Sequence, residues 1–245
     1  MSLPSWCRLG SRSVRQAGRR VRRSGRGQAS GPRLEVLEGR LLLAVFTVTS
    51  PDDLGPGSLR QAVLDANGTA EANTIAFAIG GGGVQTIQLN SDLPTVTRPA
   101  TVDGTTQPGY AGTPLIELLG RSYGLRITGG GSVVRGLAIN SATQAAISLE
   151  GVGNNVITGN FIGTDATGLV GVGSATGIFI NSTPDNTIGG ATPGAGNLIS
   201  GNTNYGIASD FGVLVQGTSS ARTLPVPPRW ATEWVFSANR CKSAD

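Results

Sequence analysis

The chain has no histidine, one lysine (Lys242), one methionine and two cysteines in 245 residues, and aromatic residues make up only 5%. Each shortage removes a class of chemistry. Without histidine, and with its only lysine three residues from the last, the sequence lacks the usual proton-transfer groups that titrate near neutral pH. Cys7 and Cys241 stand near opposite ends, so neither a disulfide framework nor a zinc spacing can be drawn from them. No metal or cofactor is expected. Charged residues are 14%, and no apolar run reaches the roughly 18 residues of a membrane-spanning helix. The longest candidate, Leu-Leu-Leu-Ala-Val-Phe at 41–46, is far too short.

What the chain has instead is glycine, 38 residues of it. That is roughly twice the ordinary share of about 7%. A mean hydropathy of +0.03 leaves enough apolar surface for a core. With so few aromatics that core must be aliphatic. Abundant glycine with β-branched residues argues for short strands joined by tight turns.

Charge is unevenly spread. Nine arginines (8, 12, 15, 19, 20, 22, 23, 26 and 33) crowd residues 1–33, where there is no acid, and the remainder of the chain carries an acid excess. Such an arm suits nucleic acid or an anionic membrane surface. It equally suits an export leader, and the absence of a base-reading element beside the arginines favours the leader over nucleic acid. The arm closes on Gly-Pro-Arg-Leu-Glu-Val-Leu-Glu-Gly-Arg-Leu-Leu-Leu-Ala (31–44). Leu34, Glu35, Leu37, Glu38, Arg40, Leu42 and Leu43 resemble the Leu-Glu-x-Leu-Glu-x-Arg-x-Leu-Leu sorting segment of planctomycete surface and secreted proteins. That resemblance implies export, with residues 1–44 as a disordered leader and the folded part starting near Val45.

The central part repeats. Apolar pairs follow Gly or Ala at Leu125, Ile147, Ile178 and Ile207, in steps of 22, 31 and 29 residues. A step near 22 with tolerated insertions is the signature of a solenoid. Alternation such as Leu125/Ile127 and Ile178/Ile180 puts both side chains on one strand face. Asn-Asn-Val-Ile-Thr-Gly-Asn, Asn-Thr-Ile-Gly-Gly and Asn-Leu-Ile-Ser-Gly-Asn each place Asn at a bend, and stacked Asn side chains would form a hydrogen-bonded ladder. In Thr158–Gly168, Gly159 and Asn160 are expected to turn the chain. Phe161 and Ile162 are expected to fill the core, with 163–168 as an external loop. The inward set is expected to include Ile127, Ile139, Ile147, Ile157, Ile162, Ile178, Ile188 and Ile199.

These repeats resemble the right-handed parallel β-helix proteins of the pectin-lyase-like superfamily. Ser58, Leu59, Arg60 and Ala62 match the Cys-Ser-Leu-Arg-Glu-Ala segment found ahead of such repeats in bacterial surface proteins, with Gly57 in place of Cys and Gln61 in place of Glu. The resemblance covers 45–217 and implies an all-β, single-stranded right-handed parallel β-helix of about four coils. By its own pattern 58–67 reads as an amphipathic helix with Leu59, Ala62, Val63 and Ala66 on one stripe, capping the first coil. Strands are expected within 73–120, at Asn73–Ile79, Gln85–Leu89, Ala100–Gly104 and Leu115–Gly120.

Enzymes on this fold work through clustered carboxylates. Here Asp52-Asp53 reads as an exposed turn, and Asp103, Glu117, Glu150, Asp165 and Asp185 are scattered singly, as loop and turn residues. Asp103 and Glu117 are the best weak pair, should stacking bring them together. The expected function is therefore a noncatalytic exported or cell-surface repeat protein that contacts extracellular polysaccharide or other surface components. A polysaccharide lyase or hydrolase is the alternative.

After Gly217 the pattern stops, and 218–245 reads as a tail foreign to the repeats. The genetic code supplies a reason. One base inserted in the codon of Gly217 lets the same nucleotides encode Gly-Asn-Phe-Ile-Gly-Thr-Asp-Ala-Thr-Gly, identical to 159–168. The third base of each observed codon is free, and its first two bases become the last two of the restored codon when Ser, Leu and Arg are read as TCN, CTN and CGN. The expectation is that 218–245 is an out-of-frame readout of a longer repeat gene.

Overall fold

The computed structural model describes residues 43–210 and 212–219. They are predominantly β, arranged in three parallel sheets with one α-helix. The leader up to residue 42 and the stretch from 220 onward lie outside the described residues.

The chain enters on β1 (Val45–Val48), passes through α1 (Leu59–Asn67), and continues into β2 (Asn73–Phe77) and β3 (Gln85–Gln88). Thereafter the strands follow a fixed rotation. The first round is β4 (Ala100–Asp103), β5 (Ile116–Leu119) and β6 (Tyr123–Ile127); the second is β7 (Val133–Arg135), β8 (Leu137–Asn140) and β9 (Ala145–Glu150). The third is β10 (Val156–Thr158), β11 (Phe161–Ile162) and β12 (Thr176–Asn181); the fourth is β13 (Thr187–Gly189), β14 (Leu198–Ile199) and β15 (Tyr205–Ser209), before β16 (Leu214–Gln216). The first strands of the rounds join β1, β2 and β16 in sheet A, the second strands join β3 in sheet B, and the third strands form sheet C. Every pairing between these strands is parallel.

The register is set by the aliphatic residues. Leu125, Ile147, Ile178 and Ile207 stand in one row across sheet C. Val134, Ile157, Ile188 and Val215 do the same in sheet A, and Leu118, Ile139, Ile162 and Ile199 in sheet B. All eight isoleucines expected inside are at most 3% exposed. A one-residue slip would turn a whole row outward, so burial itself fixes the pairing.

The residue ahead of each sheet C aliphatic is small for a reason. A Cβ on Gly177 would lie 2.4 Å from the Gly206 carbonyl oxygen, and one on Gly124 would lie 2.5 Å from that of Ala146. Backbone on the next strand leaves no room for a side chain at these two positions.

Backbone groups at the bends are satisfied by the next round. Ala100 N–H donates to Ser132 Oγ (3.2 Å), Ser132 N–H to Asn155 Oδ1 (3.0 Å) and Asn155 N–H to Asn186 Oδ1 (3.0 Å). A second column runs from Leu137 N–H to Asn160 Oδ1 (3.1 Å) and from Asn160 N–H to Asn197 Oδ1 (3.0 Å). A third joins Ala142 N–H to Ser174 Oγ (3.1 Å) and Ser174 N–H to Asn202 Oδ1 (3.1 Å). One column precedes each sheet, and each side-chain oxygen accepts the N–H of its counterpart one round earlier.

The helix forms as its pattern predicts. Ser58 Oγ accepts the Gln61 N–H, and Leu59, Ala62, Val63 and Ala66 are its buried residues. It packs against β1 and β2. Arg60 and Asn67 then tie it to the segment before β4. Arg60 donates to the carbonyls of Ser91 (2.8 Å) and Asp92 (2.7 Å), and Asn67 Nδ2 donates to Thr95 O (2.7 Å).

Three expectations need correction. Phe161 is only partly buried, because Ile162 faces inward and adjacent strand residues point to opposite faces. The 163–168 segment is not simply external: Gly163, Thr164, Ala166 and Gly168 are buried where it folds back. A Cβ on Gly168 would meet Phe161 Cε2 and Leu198 Cδ2, both at 2.9 Å, so this loop covers their outward side chains. Asp53 is 8% exposed rather than an open turn residue, and it pairs with Arg60 at 2.6 Å.

Asn160→Ala should lower stability by about 2–4 kcal/mol. It strands the buried Leu137 N–H, and each such group costs roughly 1–3 kcal/mol. Exposed Asn204→Ala should stay within about 0.5 kcal/mol. Urea unfolding of both variants checks the difference.

Candidate functional site

The two carboxylates singled out in the sequence serve separate structural pairings. Asp103 ends β4 on sheet A and accepts the Thr105 N–H (3.1 Å), which caps the short 3-10 turn Gly104–Thr106. Its other oxygen accepts Arg135 Nη2 at 2.6 Å from the neighbouring strand β7. Glu117 lies on β5 of sheet B, where it accepts Thr86 Oγ1 (3.2 Å) from β3 and Asn140 Nδ2 (3.0 Å) from β8. Asp103 and Glu117 share no hydrogen-bond partner among the described residues. Each bridges rounds of the stack, which is a structural use of a carboxylate.

Burial opposes ionisation of Asp103. The hydrogen bonds from Arg135 and Thr105, with the Arg135 charge, outweigh it and hold the carboxyl below the usual aspartate range. Asp165 keeps the turn role expected for it, accepting Thr167 Oγ1 and the Val170 N–H. Glu150 does not: it closes β9 and forms a forked pair with Arg126, Nε to Oε1 at 3.0 Å and Nη2 to Oε2 at 2.7 Å. That pairing, first among the causes, places the Glu150 carboxyl below its ordinary value.

The Arg126–Glu150 fork lies on the outer face of sheet C. The Arg126 guanidinium sits 5.5 Å from the centre of the Tyr123 ring, and Tyr123 OH donates to Gln144 Oε1 at 2.6 Å. Phe179 (38% exposed) follows Ser148 in the same row as Arg126, and Tyr205 (42% exposed) shares a row with Tyr123. Tyr123 and Tyr205 are three strand steps apart, about 14 Å at a strand spacing of roughly 4.8 Å. Beside Tyr123 and Arg126 a cleft of about 320 Å³ is lined by Asp92, Leu93, Pro94 and Thr95. Desolvation opposes the Asp92 charge, but the N–H groups of Tyr123 and Ser122 outweigh it and hold the carboxyl below the usual aspartate range.

Sequence reasoning passed over this face although the signal was present. Arg126, Ser148 and Phe179 each come one residue after an aligned aliphatic, as does Ala208, so the repeat that locates the core also locates its outer neighbours.

No protein-family model matches the chain, and no curated protein matches it. No helix among the described residues is long and apolar enough to cross a membrane.

The depressed Asp103 carboxyl makes a pH prediction. A folded-state value below the unfolded one, near about 3.9, gives stability that is present above the unfolded value and lost as pH falls through the folded value. Arg135 is 47% exposed on its side chain, so water screens the pair and the effect is modest. Asp103→Asn should flatten this part of the acid limb below about pH 4. Urea titrations from pH 2 to 7 read it as a smaller change in midpoint than in the parent chain.

Proposed function

We propose that this chain is an exported or cell-surface parallel β-helix repeat protein of the pectin-lyase-like kind, right-handed, that binds extracellular polysaccharide without cleaving it. The rotation of strands through three parallel sheets, with side-chain columns ahead of each, supports the β-helix reading. The leader resemblance at 31–44 supports export.

The observation that carries the binding reading is the outer face of sheet C. Flat rings suit the apolar faces of pyranose sugars, while a forked Arg–Glu pair and nearby amides suit hydroxyl and carboxylate groups. Three of the chain's few aromatic residues, Tyr123, Phe179 and Tyr205, are at least partly exposed on the strands of sheet C. The noncatalytic part rests on the carboxylates, since Asp103 and Glu150 are each paired with an arginine that lowers the carboxyl's pKa. A carboxylate committed to an arginine is a poor proton donor, because the pairing favours its charged form.

Affinity electrophoresis of the full chain through gels containing pectate, alginate or a neutral glucan should show retardation on at least one. The Phe179→Ala/Tyr205→Ala double variant should lose about tenfold in affinity, the equivalent of roughly 1.4 kcal/mol. Incubation with the same polymers should release no new reducing ends or unsaturated products. Turnover that disappears in Asp103→Asn or Glu117→Gln would establish the lyase or hydrolase alternative.

A further inference from the structure

We infer that the open strand edge left by β14, β15 and β16 is the docking surface for a further round of the same repeat, whose residues are encoded one base out of frame from position 218 onward. This inference concerns the end of the stack and stands apart from the polysaccharide reading.

The three strands are the last members of sheets B, C and A. A parallel edge of this kind presents a row of backbone donors and acceptors suited to another strand. The described chain already begins to occupy it. Ser219 bridges Leu198 in parallel, Ile199 N–H donates to Ser219 O (3.0 Å), and Ser219 N–H donates to Asn197 O (2.8 Å). Leu198 pairs in turn with Phe161. Position 219 therefore stands in the Phe161 row, and position 218 in the Asn160–Asn197 column.

The genetic code gives the same alignment independently of the hydrogen bonds. Thr is encoded ACN, so the restored codon 218 ends in AC, a set of four codons that includes Asn. If Ser219 and Ser220 use TCN codons, restored codons 219 and 220 end in TC, sets that include Phe and Ile. The frame-restored text Gly-Asn-Phe-Ile places Asn at 218 and Phe at 219. Asn is the residue of the column at 160 and 197, and Phe is the residue at 161 in the row that hydrogen bonding gives to position 219.

The residue now at 218 fits its place poorly. In this column Asn160 Nδ2 donates to Val134 O at 2.9 Å and Asn197 Nδ2 to Ile157 O at 2.7 Å. The next carbonyl in that sheet A row belongs to Ile188. Thr218 Oγ1 approaches it only to 3.5 Å, because a hydroxyl is shorter than a carboxamide. Ser219 likewise supplies no apolar surface where Phe161 and Leu198 are sheltered by the 163–168 loop. In the restored text that loop's own sequence, Gly-Thr-Asp-Ala-Thr-Gly, follows at 221–226.

Two measurements test this. Resequencing the gene across codons 210–245 and beyond should show that the shifted frame stays open past codon 236 and encodes further repeats. A stop codon within the next round, or an open frame without repeats, overturns the inference. Independently, Thr218→Asn with Ser219→Phe in the full chain should raise Tm by about 2–4 °C, the shift for roughly 1 kcal/mol in a chain of this size. An unchanged or lower Tm removes these two positions from the Asn and Phe rows and overturns the docking assignment.

Discussion

Everything in this fold depends on satisfying backbone N–H groups at the bends. A parallel stack turns its chain several times per round, and each turn removes amides from the ladders that serve the strands. Left buried and unpaired, each would cost roughly 1–3 kcal/mol. Here the debt is met across rounds, by Ser132, Asn155 and Asn186 before sheet A, Asn160 and Asn197 before sheet B, and Ser174 and Asn202 before sheet C. The same bonds fix the vertical spacing, because a side chain that accepts from the round before it cannot shift sideways without breaking the bond. Strand register, core alignment and the rows on the outer faces all follow.

This dependence explains the composition. Aliphatic side chains can stack upon their own kind at the strand spacing, so rows of isoleucine fill the interior with little need for large rings. Small residues are obligatory where the backbone of one strand closes on the next, as at Gly124 and Gly177. Three arginine–carboxylate pairs tie neighbouring segments together. Arg60 binds Asp53 beside the helix, Arg135 binds Asp103 across β4 and β7, and Arg126 binds Glu150 across β6 and β9.

Much of this was legible in the sequence because the period of two and the recurring step both reflect burial. The eight inward isoleucines, the Asn bends and the amphipathic stripe of α1 could be read directly. Phe161 could not be read by type alone: an aromatic suggests core, but next to an inward Ile162 the alternation of a strand forces it outward. Asp53 looked exposed because Pro51 and Gly55 flank it, while its partners Arg60 and Asn90 are supplied by the helix and a later loop. The outer face of sheet C was missed because the alignment used only inward positions. Arg126 and Glu150 are 24 residues apart and meet only when their strands are laid side by side.

The loop between β11 and β12 separates length from register. Its base is closed by its own contacts: an antiparallel bridge joins Thr164 and Gly171, and the Val172 and Gly173 N–H groups both donate to Gly163 O. The chain then rejoins the stack at Ser174, a member of the third column. Residues added at the tip, around Leu169 and Val170, would lengthen a self-closed excursion while every row beneath kept its place. Such a point lets a repeat protein diversify its surface without renegotiating its interior, and it is a natural site for grafting a foreign peptide onto the scaffold.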